Sequence, residues 1–257
     1  MVKLPLQFWH IFVSELINLI IAYFGHKTIN VIKCKYMKNI IFFDTETTGN
    51  TEKDFLCQIA YKTGTETFCE LYKPPVKIPP EASAVHHITN KMVADKELFG
   101  ESKDKEKIKK VFEDENNLVV AHNAIFDLMM IKKEGIEPKK FICTLRMARY
   151  LDPEGKIERY NLQYLRYLLE IEIEAQAHDA MGDVLVLEKL FERLKKKMME
   201  SENLDEEKAI EKMIEVSSRP TLLKYINFGK HSGKEVKEVA QIDPGYLEWL
   251  LKQKEEG

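Results

Sequence analysis

The order in which strand-like and helix-like segments follow one another constrains the fold of this chain more than any other feature. From Ile40, three apolar segments are separated by turn residues, which is typical of strands in a meander: IIFF, LCQIAY and ETFCELY. Two further strand-like segments, NLVVAHN and FICT, then alternate with helical patterns at 103–113, 124–134 and NLQYLRYLLEI, and a long helix runs on from Val184. The pattern predicts an α/β fold with a mixed five-stranded sheet flanked by helices.

Composition excludes several classes of protein. Of 257 residues, 44% are hydrophobic, which suffices for a sizeable core, and the 32% that are charged nearly cancel to a net charge of -3. Wholesale disorder and nucleic-acid coating through bulk charge are therefore not expected, and any nucleic-acid contact must be local. The four cysteines form no Cys-x-x-Cys pair, which favours a reducing, cytoplasmic compartment and no zinc site.

The N-terminal residues 1–36 form an apolar extension. Phe8–Gly25 is an apolar stretch of eighteen residues, at the lower limit for a membrane span, but Glu15 and Asn18 interrupt it and no signal-peptide cleavage site follows. A secretory signal is the weakest interpretation. The alternatives are a membrane anchor and translation from upstream of a true start at Met37, and we favour the second.

Three further segments follow the extension. Residues 37–200 are expected to form the main domain, and 201–218 a charged helical linker whose composition suits a solvated connecting helix. Residues 219–257 are expected to form a small α+β module with a hairpin-like segment and a helix that begins with Asp243 as cap and Pro244 in its first turn. A module of this size is too small to be very stable alone, so we expect it to pack on the main domain.

Acidic residues stand where strands and helices meet. Asp44 and Glu46 are two apart at the end of a buried strand, so both carboxylates point to one side. Asp127 follows another strand and lies among apolar residues, where a carboxylate needs a partner. The alternatives are structural: Asp44 caps a turn, Glu46 is solvated, and Asp127 is a helix N-terminal acid favoured by the dipole.

His178 and Asp183 lie at the start of the long helix, in HDAMGD. A spacing of five residues corresponds to about 140° of helical arc, so His178 is expected in the preceding loop or first turn, over a site that Asp183 lines. The alternative is a surface histidine beside an ordinary cap at Asp179.

Together, the four carboxylates and the histidine predict a metal site. Oxygen ligands that repel one another call for divalent cations, and hard oxygen ligands select Mg²⁺ or Mn²⁺. Two such ions about 3.5–4 Å apart can hold a phosphodiester, and a histidine with a pKa near neutrality can remove the proton of the attacking water.

The segments FFDTETTG, AHNAIFD and HDAMGD resemble the three motifs of the DnaQ-like 3′–5′ exonucleases, of the DEDDh subtype with a histidine in the third motif. The resemblance covers Met37 to about Leu194 and implies a ribonuclease-H-like fold for an exonuclease domain. It also implies two metal ions held by Asp44, Glu46, Asp127 and Asp183, with His178 as general base. Substrate binding is implied for Thr45, Thr47, Thr48, His86 and Asn123.

The C-terminal segments FGKHSGK and DPGYLEWL are similar to the C-terminal module of a bacterial exodeoxyribonuclease subgroup of this family. Two interpretations of the module stay open. In one, its cations and rings grip a single strand: Arg219, Lys224, Lys230, Lys234 and Lys237 follow phosphates while Tyr225, Phe228 and His231 stack on bases. In the other, it is a small hairpin with solvated lysines and a core of Phe228, Tyr246 and Trp249.

These observations predict a metal-dependent exonuclease that releases nucleoside 5′-monophosphates from the 3′ end of DNA and prefers single strands. Two alternatives remain. The first is a 3′–5′ exoribonuclease that trims RNA or oligoribonucleotides, which would share every catalytic residue. The second is a nucleic-acid-binding or membrane-tethered protein that has lost catalysis.

Overall fold

The computed structural model describes residues 39–64, 66–173, 180–220, 224–226 and 229–255, with side chains to 251. The apolar stretch Phe8–Gly25, the histidine His178 and the ring of Phe228 lie outside the described residues. The described residues belong to one unit, Tyr36–Gly257. Within the described ranges, none of the helices has the length and apolar character that crossing a membrane requires.

The sheet has five strands, and its mixed pairing confirms the prediction. The strands are Asn39–Thr47 (β1), Leu56–Lys62 (β2), Thr67–Leu71 (β3), Asn117–Ala121 (β4) and Phe141–Cys143 (β5). Their order is β3-β2-β1-β4-β5. The meander β1-β2-β3 is antiparallel, whereas β4 and β5 run parallel to β1. The carboxyl ends of β1, β4 and β5 therefore lie at the same edge of the sheet.

The helices flank this sheet and continue into the C-terminal module. They are Pro80–His86 (α1), Lys103–Phe112 (α2), Ala124–Lys133 (α3), Thr144–Tyr150 (α4), Leu162–Leu168 (α5), Ala180–Glu202 (α6), Glu206–Ser218 (α7), Val236–Ile242 (α8) and Pro244–Glu255 (α9). Short 3₁₀ helices occupy Phe99–Glu101 and Gly229–His231.

The period-two alternation of β1 divides the core into two faces. Phe42 packs on Phe191 of α6, with ring centroids 5.4 Å apart, whereas its neighbour Phe43 packs on Phe112 of α2, at 5.1 Å. Two residues beyond Phe42 along the strand, Asp44 has the same orientation, and Glu46 follows before a register shift in the pairing with β2. The strand thus directs both carboxylates to the face that α6 covers.

The expectation of a solvated connecting helix at 201–218 is wrong. Asp205 caps α7 by accepting a hydrogen bond from Lys208 N (2.9 Å), and the helix then buries Ala209, Ile210 and Met213 in the same core cluster as α6. The charged residues of this segment lie on the opposite side of an amphipathic helix, so its high charge concealed a narrow apolar stripe.

The C-terminal module has a small core of its own. Ile226, Val239 and Tyr246 are buried together, and Tyr225 pairs with Glu235 in an antiparallel bridge, as the hairpin-like pattern predicts. Trp249 stacks on Tyr246, but it is 51% exposed and closes the core only in part.

Candidate active site

Three carboxylates meet at the carboxyl end of β1. Asp44 and Glu46 come from the strand and Asp183 from the first turn of α6. One carboxylate oxygen of each lies within 4.8 Å of the others, and all three side chains are half-buried. This is a spacing that a shared cation can bridge with oxygen ligands alone.

The fourth predicted carboxylate, Asp127, approaches from the opposite face. It lies in the first turn of α3, is 3% exposed, and accepts hydrogen bonds at Oδ1 from the Thr45 hydroxyl (2.7 Å) and the Thr45 amide (3.2 Å). Because Thr45 lies between Asp44 and Glu46 along the strand, these bonds hold Asp127 beside the cluster.

The electrostatics of the four acids disfavour their full ionisation. Burial raises the pKa of Asp44 well above its usual range, and the nearby charges of Asp127, Glu46 and Asp183 raise it further. Burial also raises the pKa of Asp127 to about 7, although the hydrogen bonds from Thr45 oppose that change. Bringing several negative charges together is costly, and bound divalent cations offset that cost. The four carboxylates therefore fit the divalent cations that the sequence predicts.

Sequence reasoning missed a glutamine at this site. Gln163 in the first turn of α5 donates a hydrogen bond from Nε2 to Oδ1 of Asp183. Asn161 fixes that turn, because its side chain caps the helix by accepting from Tyr164 N (2.9 Å). The residue is twenty positions from its partner, so no local spacing could have revealed the contact.

The threonines predicted to bind substrate already have partners inside the protein. All three are buried, and besides the bond of Thr45 to Asp127, Thr47 donates to Gly49 O and Thr48 donates to Asp54 Oδ1 (2.9 Å). These bonds shape the turn after β1, and substrate contacts of the three residues stay predictions.

His86 supports the same turn from behind. It is 5% exposed; Nδ1 accepts from Ile88 N (3.0 Å), which leaves Nε2 to donate to Thr47 O (3.2 Å). Burial lowers the pKa of His86, so the neutral ring is favoured. A direct contact between this ring and substrate stays a prediction.

Asn123 occupies the sharp turn between β4 and α3. Its φ of 65° lies in the left-handed region, where asparagine is tolerated, and its side chain is exposed at the same edge of the sheet as Asp44. Substrate binding by Asn123 and general-base catalysis by His178 stay predictions.

The basic residues of the module are largely paired with acids. Lys230 lies 2.7 Å from Asp243, Arg219 2.6 Å from Glu215, Lys234 3.7 Å from Glu238 and Lys224 3.9 Å from Glu235. His231 is buried with its Nε2 2.8 Å from Asp243 Oδ2. Its ring packs on Tyr246 inside the module, so it does not offer an exposed face on which a base could stack.

Comparison with known proteins agrees with this geometry. A family model described as exonuclease matches residues 41–191, and one described as exodeoxyribonuclease X-like C-terminal matches residues 226–255. Exodeoxyribonuclease 10 of Escherichia coli strain K12 is 34% identical over 182 residues, which cover 70% of this chain and 74% of the relative. The DNA polymerase III subunit epsilon of Treponema pallidum is 33% identical over 163 residues, covering 58% and 73% of the two chains.

Solved structures share the fold. Exonuclease X in complex with 5′ overhanging duplex DNA superposes with a TM-score of 0.54 at 26% identity, over 69% of this chain and 99% of that one. E. coli exonuclease I with a dT13 oligonucleotide gives a TM-score of 0.54 at 20% identity, over 64% and 42%. The chain therefore belongs to the DnaQ-like exonuclease family, with a ribonuclease-H-like fold and a C-terminal module like that of exodeoxyribonuclease X.

Proposed function

We propose that this protein hydrolyses the terminal phosphodiester at the 3′ end of DNA and releases nucleoside 5′-monophosphates. The observation that carries the proposal is the meeting of Asp44, Glu46 and Asp183 oxygens within 4.8 Å, with Asp127 held beside them. The name of the E. coli relative supports DNA as the substrate.

Asp44, Glu46, Asp127 and Asp183 would hold two divalent cations, Mg²⁺ or Mn²⁺. When bound, such ions lower the pKa of water and stabilise the leaving oxygen of a phosphodiester. The protein's part is to keep the carboxylates aimed at one point. Thr45 fixes one Asp127 oxygen with two hydrogen bonds, and Gln163 fixes one Asp183 oxygen with a third.

The remaining chemistry is proton transfer and positioning. His178 would take the proton of the attacking water, since a histidine near neutrality matches that task. The turn after β1 would receive the terminal nucleotide, because Thr47 and Thr48 hold this turn in one shape and His86 supports it from within. A turn that is already ordered loses little entropy when the substrate binds.

A free 3′ end is required because the carboxylates must reach a terminal phosphodiester. Single strands meet this requirement, and so does a duplex with a 5′ overhang, the DNA named for the solved exonuclease X structure. A blunt duplex also has free 3′ ends, but they are base-paired, so we expect single strands to be degraded faster than blunt duplexes.

The test compares the wild-type chain with Asp44→Asn and Asp183→Asn on labelled DNA and RNA strands of one sequence. With Mg²⁺, wild type should shorten a 5′-labelled DNA strand stepwise and release the label of a 3′-labelled strand as a mononucleotide. Each variant should lose at least about a hundredfold in rate, and chelator should abolish the wild-type activity. Asp95→Asn, a change at an exposed acid outside the site, is the matched control.

Folding can be scored separately from catalysis. Without metal, Asp44→Asn should melt no earlier than wild type, because a neutral amide replaces an acid whose charged form is disfavoured by its surroundings and by neighbouring acids. Undiminished activity of both variants would refute the proposal. Faster degradation of RNA than of DNA would replace it with the exoribonuclease alternative.

A further inference from the structure

A groove separates the main domain from the C-terminal module on the side of α4. Its volume is about 480 Å³, within the range of ligand sites, and residues 149–160 form one wall while residues 224–226 and 232–233 form the other. Four of its residues carry cations or aromatic rings: Arg149, Tyr160, Lys224 and Tyr225.

Arg149 is a half-buried cation on one wall of the groove. Its guanidinium carbon lies 5.4 Å from the centroid of the Tyr160 ring, and its Nε is buried with no hydrogen-bond partner among the described residues. Two acids also line the groove: Glu158 is exposed, and Asp152 is already satisfied, because its oxygens accept from the amides of Lys156 and Ile157 and from the Tyr160 hydroxyl (3.0, 2.8 and 2.7 Å). Guanidinium groups bind phosphate through charge-assisted hydrogen bonds, so Arg149 gives this wall of the groove a cation suited to a phosphate.

The opposite wall supplies a ring and a second cation. Lys224 Nζ lies 5.2 Å from the centroid of the Tyr225 ring, and that ring reaches the loop at Gly155. Gly155 has a φ of +66°, and a Cβ added there would lie 2.9 Å from Tyr225 Cδ2. Glycine therefore permits the close approach of the two walls.

The groove adjoins the edge of the sheet that carries the carboxylates. His122 directly follows β4 at that edge, and its Nε2 donates to Tyr160 O (2.7 Å), the backbone of a groove residue. Thr144, which directly follows β5, contacts the other nitrogen of the same ring (2.9 Å). One wall of the groove is therefore attached to the edge of the sheet at which β4 and β5 end.

We propose that this groove binds a nucleotide of the substrate strand upstream of the 3′ end, with the phosphate at Arg149 and Lys224 and the base against Tyr225. The inference rests on the proposed function, which supplies the strand. Cations for phosphates and rings for bases are the combination with which proteins hold single strands. The proposal does not use Lys230 and Arg219, which pair at short range with Asp243 and Glu215.

The first test is the dependence of kcat/KM on strand length, with Mg²⁺ and oligothymidylates of 2 to 12 nucleotides. For wild type, kcat/KM should rise about tenfold once the strand is long enough to reach the groove, the change expected for one stacked base. Arg149→Gln and Tyr225→Leu should reduce this rise to less than threefold, and Arg149→Lys should restore part of it. Lys110→Gln and Tyr167→Leu remove an exposed cation and an exposed ring elsewhere and should keep the full rise.

The second test needs no catalysis. In chelator, the anisotropy of a labelled 12-nucleotide strand reports binding as NaCl is increased, and Arg149→Gln should lower the salt slope by about one. Melting temperatures confirm that each variant is folded.

The outcomes separate the two proposals. A wild-type protein that degrades no nucleic acid refutes the proposed function, whereas the anisotropy experiment still decides the groove. An equal length dependence in wild type and Arg149→Gln, or an unchanged salt slope, overturns the groove proposal. Weaker inhibition of Arg149→Gln by 5′-thymidine monophosphate, with the length dependence intact, would make the groove a product site and also overturn it.

Discussion

His122 should make the folded state of this protein sensitive to mild acid. Its Nε2 donates to Tyr160 O, so the neutral ring accepts at Nδ1 from the Thr144 hydroxyl. Burial lowers the pKa of His122 from 6.5 to about 4, and the nearby Arg149 guanidinium contributes in the same direction. Below pH 6.5 the unfolded chain therefore takes up a proton that the folded chain refuses, and stability falls until the pH reaches about 4.

The size of the effect follows from the two pKa values. At pH 5, linkage gives a loss of about 2 kcal/mol relative to pH 8 from this one group. His122→Gln should lower stability at pH 8, because the Thr144 bond is lost, but it should also remove the contribution that depends on pH. Other groups titrate in both proteins and cancel when the two pH differences are subtracted.

The assay is urea unfolding of wild type and His122→Gln at pH 8 and pH 5, in chelator. The difference in unfolding free energy between the two pH values should be about 2 kcal/mol larger for wild type. Arg149→Gln should give an intermediate difference, because one cause of the lowered pKa is removed. Equal differences for wild type and His122→Gln would refute the reasoning.

Three further perturbations test other parts of the structure. Gln163→Leu should raise the Mg²⁺ concentration for half-maximal activity by about tenfold or more, with little change in melting temperature, because a group that orients Asp183 is lost; an unchanged metal titration would contradict this. Met213→Ala should cost about 2–5 kcal/mol in urea unfolding, since the side chain is fully buried, whereas Glu207→Ala on the exposed side of α7 should cost less than about 0.5 kcal/mol. Gly155→Val should speed proteolytic cleavage between the main domain and the module, because a Cβ at 2.9 Å from the Tyr225 ring forces the walls of the groove apart. If this variant were cleaved at the wild-type rate, the close approach of the two walls would be dispensable.

The parts of the fold that the sequence predicts are those with strong local periodicity. The strands β1 to β5 follow from apolar runs, and the helix α6 follows from an apolar stripe with a seven-residue repeat, formed by Val184, Leu187, Phe191 and Leu194. The carboxylates Asp44 and Glu46 share a side because residues two apart in a strand point the same way. That Asp183 and Asp127 lie near these two carboxylates could be predicted only by considering all four acids together. Taken alone, each acid has an ordinary structural explanation.

The features that escaped prediction depend on contacts between distant segments. Gln163 lies in a helix whose apolar stripe dominates its pattern, and its bond to Asp183 depends on how α5 packs beside α6. Arg149 looks like any helix-terminal cation until the structure shows that its Nε has no hydrogen-bond partner among the described residues. Periodicity records which side of an element is buried, but not which polar group of another element it meets.

Helix α7 is packed in the core and not solvated as expected, and this limits where the module can lie. A solvated linker would let the module move freely, whereas α7 is fixed to the sheet: Cys143 N donates to Ser217 Oγ (2.9 Å), and Arg146 donates to Ser217 O. The chain therefore leaves the core at Ser218, beside α4, the helix that also carries Arg149. Because the chain between this anchor and Lys224 is short, the module stays near α4, and the approach of Tyr225 to Gly155 costs little additional entropy. An apolar stripe in a highly charged helix is thus what keeps the two walls of the groove together.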